Sequence, residues 1–229
     1  MTHELLAIRR YPVKSMGGEG LASADFDPRG MVGDRWYAVV DEEGHFACGK
    51  SSRRFRRHDG VFGYHAATGP EAVTVVTGGG GSWPAGSTAL DDELTSVLGV
   101  AMRVRPEGDV PHQDAGSVSL VGGATLRWCA ERFGVDADPR RLRANLVVAT
   151  EEPFVEESWV GRTLAVGSTR LQVVERIERC RTIDLAQDGV ASPARWLKPL
   201  GAERDTCLAV YADVARPGTL AVGDMLTVD

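Results

Sequence analysis

Apolar and polar residues alternate with a period of two along most of this chain, in short runs separated by glycine-rich turns. Leu5-Leu6-Ala7-Ile8 opens one such strand and runs into Arg9-Arg10-Tyr11-Pro12-Val13-Lys14-Ser15. Pro12 suits a strand end or edge there, because it lacks the amide donor that a ladder needs. Leu21 to Phe26 reads as a second strand. Arg35 to Val40 and His45 to Cys48 flank Asp41-Glu42-Glu43-Gly44, a hairpin whose glycine tolerates positive φ. Val73 to Thr77 is β-branched throughout and predicts a strand. The Gly78-Gly79-Gly80-Gly81-Ser82 run behind it lacks the Lys-Ser/Thr ending of a phosphate loop and reads as a flexible connection. Further strands are predicted at Val100 to Val104, Leu142 to Ala149, Thr163 to Val166, Leu171 to Ile177, Cys207 to Val214, Thr219 to Val222 and Met225 to Val228.

Helical periodicity is scarce. Leu90 to Leu98 predicts one short helix. A second follows Val121, with Leu126, Cys129, Ala130 and Phe133 on one face and Gly134 as its stop, which assigns Cys129 to the core. Pro193 to Leu200 allows one or two turns, interrupted at Pro199. Many short strands with few helices predict a mainly β, barrel-like fold rather than alternating βαβ units. Glu107 to Gly116 has no periodicity, which places a boundary between two units, 1–108 and 109–229.

The 229 residues are ample for a sizeable core. The net charge of -6 argues against nucleic acid as a partner, since the basic surplus that neutralises phosphates is missing. The apolar runs are too short to span a membrane, and the N-terminus lacks the apolar stretch of a signal peptide, so the expected location is cytoplasmic. Four cysteines, Cys48, Cys129, Cys180 and Cys207, are scattered without a C-x-x-C pair. The basic cluster Arg53-Arg54-Phe55-Arg56-Arg57-His58 reads as a solvated loop. His112 and Asp114 lie in the boundary loop, where an unpartnered histidine is expected to be solvated. Glu156-Glu157 is expected to face water, and Trp159 to sit in the core or at a rim.

The chemistry concentrates around residues 173–184. If the strand from Leu171 continues without a bulge, Gln172, Arg176, Glu178 and Cys180 share its polar face, and Cys180 stands between Arg179 and Arg181. Neighbouring guanidinium groups favour a thiolate, the form that attacks electrophiles or binds metals. Cys180 is thus either a reactive sulfur or, as a structural alternative, a small buried hydrophobe. Cys207 is a second candidate on the outer face of its own strand.

Several blocks in order then resemble the MOSC family, the molybdenum-cofactor module related to the C-terminal domain of molybdenum cofactor sulfurase, preceded by its N-terminal β-barrel domain as in amidoxime-reducing proteins. They are Tyr11-Pro12-Val13-Lys14-Ser15, Gly33-Asp34-Arg35-Trp36, Ser119-Leu120, Arg140 to Asn145, Trp159-Val160-Gly161-Arg162, Arg179-Cys180, and Pro217 through Asp224. The resemblance implies that Cys180 ligates molybdenum through its thiolate. It implies that Lys14, Ser15, Arg35, Arg143 and Asn145 contact the pterin and its phosphate, with Thr182 standing for the first of the threonines that follow the family's cysteine. The implied cofactor is the molybdenum cofactor, molybdopterin, and the implied activity is reduction of small N-hydroxylated substrates such as hydroxylamines or amidoximes. No flavin or nicotinamide fingerprint occurs in the sequence, so electrons are expected from a separate electron-transfer protein. The alternative is a sulfur carrier or transferase that holds a persulfide on Cys180.

Overall fold

A computed structural model describes residues 2–136, 138–191 and 195–229. Its centre is a closed barrel of seven strands. In order around the barrel these are Leu146–Val148, Val118–Gly122, Cys207–Arg216, Thr169–Glu178, Thr163–Val166, Met225–Val228 and Thr2–Arg10, and the last pairs back onto Leu146–Val148. Only the Val118–Gly122 and Leu146–Val148 pair runs parallel. Closure leaves no open edge, and the inward positions fill the interior with Leu5, Leu120, Leu146, Leu164, Leu171, Val210, Leu226 and the buried Trp159. The mainly β, barrel-like expectation is met.

The Thr163–Val166 and Thr169–Glu178 hairpin turns at Gly167, whose φ of 51° lies in the region that favours glycine. A helix at Gly123–Phe133 ends as the sequence predicts, on a left-handed Gly134, and packs Leu126 and Cys129 against the outside of the barrel. The residues before the barrel's second strand form smaller sheets. Met102–Pro106, Tyr37–Asp41, Phe46–Cys48 and Phe55–Arg57 make one, and Tyr64–Thr68, Val73–Thr77 and Ser82–Pro84 another. A helix at Thr88–Leu98 covers them; Ser87 caps its start by accepting from Leu90 N, and Gly99 ends it at φ 72°. The tetraglycine run is the turn between Val73–Thr77 and Ser82–Pro84. No helix among the described residues is long and apolar enough to cross a membrane.

Three expectations about elements change. Leu142 to Ala149 is not one strand, because Pro139–Leu142 forms a 3-10 turn and Arg143 turns left-handed (φ 53°) before the short strand begins at Leu146. Pro199 does not interrupt a helix. It falls in the first turn of Leu197–Arg204, where an amide has no intrahelical acceptor to lose, while Pro193 lies outside the described residues. The strand from Thr169 shifts register three times, between Arg170 and Leu171, between Val173 and Glu175 and between Arg176 and Glu178, and ends there, so Cys180 is not on a strand face. It precedes the 3-10 turn Arg181–Asp184.

Candidate functional site

The segment after the first barrel strand threads between the barrel and the small sheets. Lys14 N donates to Tyr37 O at 2.8 Å, and Gly17 N to Tyr64 O at 2.8 Å. Along this seam opens a cleft of about 860 Å³, mouth included, whose walls take residues from both sides. All seven predicted site residues, Lys14, Ser15, Arg35, Arg143, Asn145, Cys180 and Thr182, line it. So do Cys48, Lys50, Asp114, Ser119 and Arg179, which the sequence did not assign to a ligand.

Ser15, Arg35 and Arg143 all have positive φ, at 69°, 52° and 53°. Left-handed backbone costs a non-glycine residue on the order of 1 kcal/mol, and such strain concentrates at functional sites. Ser15 Oγ donates to Ala47 O at 2.9 Å. Asn145 is a positioning group: its Oδ1 accepts from Ser119 N (3.1 Å), Ser119 Oγ (2.9 Å) and the Arg35 guanidinium (3.1 Å). The Tyr11 ring is flanked by the Arg143 and Arg35 guanidinium groups, 4.3 and 4.9 Å from its centre. Two like charges are thereby held on one aromatic ring.

Their neutralisation is unequal. Burial works against the Arg35 charge, yet the adjacent Asp34 carboxylate outweighs that and raises its pKa. Arg143 has no carboxylate within ion-pair distance among the described residues, although Asp188 and Asp34 act on it from farther away. It donates to Met16 O at 2.7 Å and to Ser15 O at 3.5 Å, and burial pushes its pKa down to about 10. Arg179 resembles it: its guanidinium donates to Leu142 O at 2.6 Å, and burial lowers its pKa as well. Lys14 is lowered by burial although it donates to Asp114 Oδ1 at 2.5 Å. Burial alone would raise Asp114, but Lys14 and Lys50 hold it well below the usual carboxylate range. With two desolvated guanidinium groups, Arg143 and Arg179, in contact with carbonyls and no carboxylate among the described residues, the cleft is built to receive an anion.

Cys180 is half-buried at this cleft, and its Sγ lies 3.4 Å from Thr182 Oγ1. Its sequence neighbours part. Arg179 lines the cleft beside it and donates to Leu142 O, whereas Arg181 pairs with Asp59 at 2.6 Å and also donates to Gly49 O at 3.2 Å. The other cysteines differ. Cys129 is fully buried in the core as predicted, with burial pushing its thiol up to about 12. Cys207 is half-buried but does not line the cleft. Cys48 lines it, nearly buried, and burial raises its thiol.

Other readings are corrected by contacts remote in sequence. His112 is not solvated: it is 3% exposed, contacts Arg35 O through Nδ1 at 2.9 Å and meets the Phe46 ring edge-on. Glu156 does not face water. It is fully buried and accepts from Gly122 N and Thr125 Oγ1, both at 3.0 Å, at the start of the Gly123–Phe133 helix. Glu157 pairs with Arg204 at 2.6 Å. The basic cluster is a strand edge in which Arg56 and Arg57 are exposed and pair with Glu43 and Asp59, while the Arg54 guanidinium stacks on Phe46 and Phe55. Lys50 had no local signal, since the turn after the Phe46–Cys48 strand brings it to the cleft.

A closed β-barrel with a thiol in a cationic cleft defines the class. The MOSC domain matches residues 107–227 and the MOSC N-terminal beta barrel domain residues 2–57, so the chain belongs to the MOSC family. It is 25% identical over 250 aligned positions to the molybdenum cofactor sulfurase of Anopheles gambiae, covering 86% of this chain and 32% of that protein. A 48-residue stretch is 42% identical to the molybdenum cofactor sulfurase of Danio rerio, covering 21% of this chain and 6% of that protein. The chain thus spans a third or less of the relatives it matches. Among solved structures, the YuaD protein of Bacillus subtilis superposes with a TM-score of 0.53 at 14% identity, covering 100% of this chain and 96% of that one, which is a likeness of fold.

Proposed function

We propose that this protein binds the molybdenum cofactor in the cleft and reduces small N-hydroxylated substrates, with electrons from a separate electron-transfer protein. The observation that supports this best is the meeting of one half-buried thiol with two partly buried guanidinium groups, Arg143 and Arg179, that touch no carboxylate among the described residues. The donor set fits the group: a soft thiolate is a suitable ligand for a metal already held by sulfur, and a phosphate supplies the charge that Arg143 and Arg179 lack. Cys180 would hold the metal, and Lys14, Arg143 and Arg179 the phosphate. Ser15 and Asn145 would fix the shape of the wall, and Thr182 would orient the Cys180 sulfur. When bound, the cofactor supplies a centre that exchanges an oxygen atom and two electrons with substrate. The net reaction takes a hydroxylamine, two electrons and two protons to an amine and water. The protein's own contribution is to keep the thiol and cations fixed in a partly water-excluded cleft.

The test is elemental and pterin analysis of protein from a cofactor-competent host, with a hydroxylamine assay driven by a chemical reductant. Near-stoichiometric molybdenum in the wild type and its loss in Cys180→Ser are expected. Metal-free wild-type protein, or unchanged metal content in the variant, defeats the proposal.

A second reading has its own support in the sulfurase relatives. In it Cys180 carries a persulfide for transfer. Intact mass after incubation with a cysteine desulfurase separates the two, because a carrier gains one sulfur, about 32 Da, on Cys180 and a metal ligand does not.

A further inference from the structure

At the cleft mouth, two ammonium groups converge on the two oxygens of one carboxylate. Lys14 Nζ donates to Asp114 Oδ1 at 2.5 Å, and Lys50 Nζ stands 3.5 Å from Oδ2. Both lysines rest on the Phe55 ring, 5.0 and 4.7 Å from its centre, and Lys14 also donates to His112 O at 2.6 Å. The pair of charges is therefore fixed by an aromatic floor and a carbonyl, and not only by the carboxylate. Asp114 differs from its partners. Its side chain is 42% exposed, and its neighbours are pinned from elsewhere, His112 by Arg35 O and Glu107, and Pro111 and Gln113 by Arg54. The carboxylate can leave the lysines by turning about its own side-chain bonds while the loop stays in place.

We propose that Lys14 and Lys50 form an oxyanion subsite at the cleft mouth, and that Asp114 is its built-in occupant, displaced when a phosphate or carboxylate group of a ligand arrives. Two ammonium groups against one carboxylate leave a positive charge over. A dianionic phosphate bridges both lysines as Asp114 does and also neutralises both, which a single-charged carboxylate does not. Asp114 holds the subsite in the free protein, so the lysines are not left desolvated and unpaired. Only the identity of the anion, cofactor phosphate or substrate group, rests on the cofactor reading above.

The experiment is titration calorimetry with pyrophosphate and with malonate, on the full chain from a host unable to make the pterin and again on the cofactor-loaded protein. In the cofactor-free arm, Asp114→Asn is expected to bind pyrophosphate about tenfold tighter than wild type, and Lys50→Gln about tenfold weaker. A folded Asp114→Asn protein that binds no tighter overturns the proposal. So does Lys50→Gln with wild-type affinity, and since Lys50 is partly exposed this variant decides alone should the other misfold. In the loaded protein, lost anion binding assigns the subsite to the cofactor's phosphate and retained binding to a substrate group; both outcomes support the subsite. A protein that takes up no molybdenum defeats the cofactor reading, while the cofactor-free arm still decides this one.

Discussion

Replacing Arg143 by Met separates a charge kept for a ligand from one kept for the fold. Burial brings the Arg143 pKa down to about 10 from an ordinary 12.5, so holding its charge costs the empty protein on the order of 3 kcal/mol. Against that stand a charged hydrogen bond to Met16 O at 2.7 Å and the contact with the Tyr11 ring, together about 3 kcal/mol. The two nearly cancel, and Met keeps the apolar stem in place. Arg143→Met is therefore expected to change the unfolding free energy by no more than about 1.5 kcal/mol, while pyrophosphate binding falls by roughly 10- to 100-fold with the loss of a charge-assisted bond. Arg141 is the control. It is more deeply buried, at 1% exposed, and pairs with Asp136 through both Nε and a terminal nitrogen at 2.7 Å, so Arg141→Met strands a carboxylate and should cost about 3 kcal/mol. Urea titrations of both variants, with calorimetry for the anion, test this. An Arg143→Met protein as destabilised as Arg141→Met, or one that keeps wild-type anion affinity, refutes the reasoning.

The other predictions are simpler. Burial raises the pKa of Glu156, so the folded state holds that proton more tightly than the unfolded chain, and the contribution is favourable at low pH and fades as pH rises above the ordinary glutamate range. Glu156→Gln should thus gain stability relative to wild type between pH 4.5 and 7 in thermal melts; a constant difference across that range contradicts the buried-carboxylate account. Leu120→Ala opens the barrel interior at a fully buried position and should cost about 3 kcal/mol by urea denaturation, with a loss below about 1 kcal/mol pointing to a loosely packed core. Gly18→Ala places a methyl group against the Arg10 carbonyl oxygen, backbone that cannot turn aside, and should cost at least about 2 kcal/mol. Unchanged melting of that variant would mean that the turn after the first strand is not held as described.

Strand positions were legible because alternation follows from one inward and one outward face, and Thr163–Val166, Met225–Val228 and the Cys129 helix fall where the pattern puts them. Closure was not legible. It depends on Thr2–Arg10 pairing with both Leu146–Val148 and Met225–Val228, partners that no local window contains. The same limit explains the errors at polar residues. His112 and Glu156 look solvated from their neighbours, and only the chain that returns to meet them, Arg35 for one and Gly122 for the other, makes them buried and bonded. Cys180 was found for a partly mistaken reason: the polar strand face that pointed to it ends at Glu178, and Arg181 leaves for Asp59.

Backbone strain gives an independent line of support for the cleft, because it costs stability and needs an explanation. Among the described residues eight that are not glycine have positive φ, and three of them, Ser15, Arg35 and Arg143, line this one cleft. At each, glycine would satisfy the backbone more easily. Glycine there would remove the Ser15 bond to Ala47 O, and with Arg35 and Arg143 the paired charges on Tyr11. The two charges repel one another; Asp34 compensates Arg35, but the Arg143 charge is disfavoured by burial, so the fold gains little from Arg143 when empty. Ser15 and Arg35 have partners in the empty protein, Ala47 O and Asp34, so the strained position that most needs a ligand to explain it is Arg143. That ligand must bring negative charge, because Arg143 and Arg179 are in ion-pair contact with no carboxylate among the described residues.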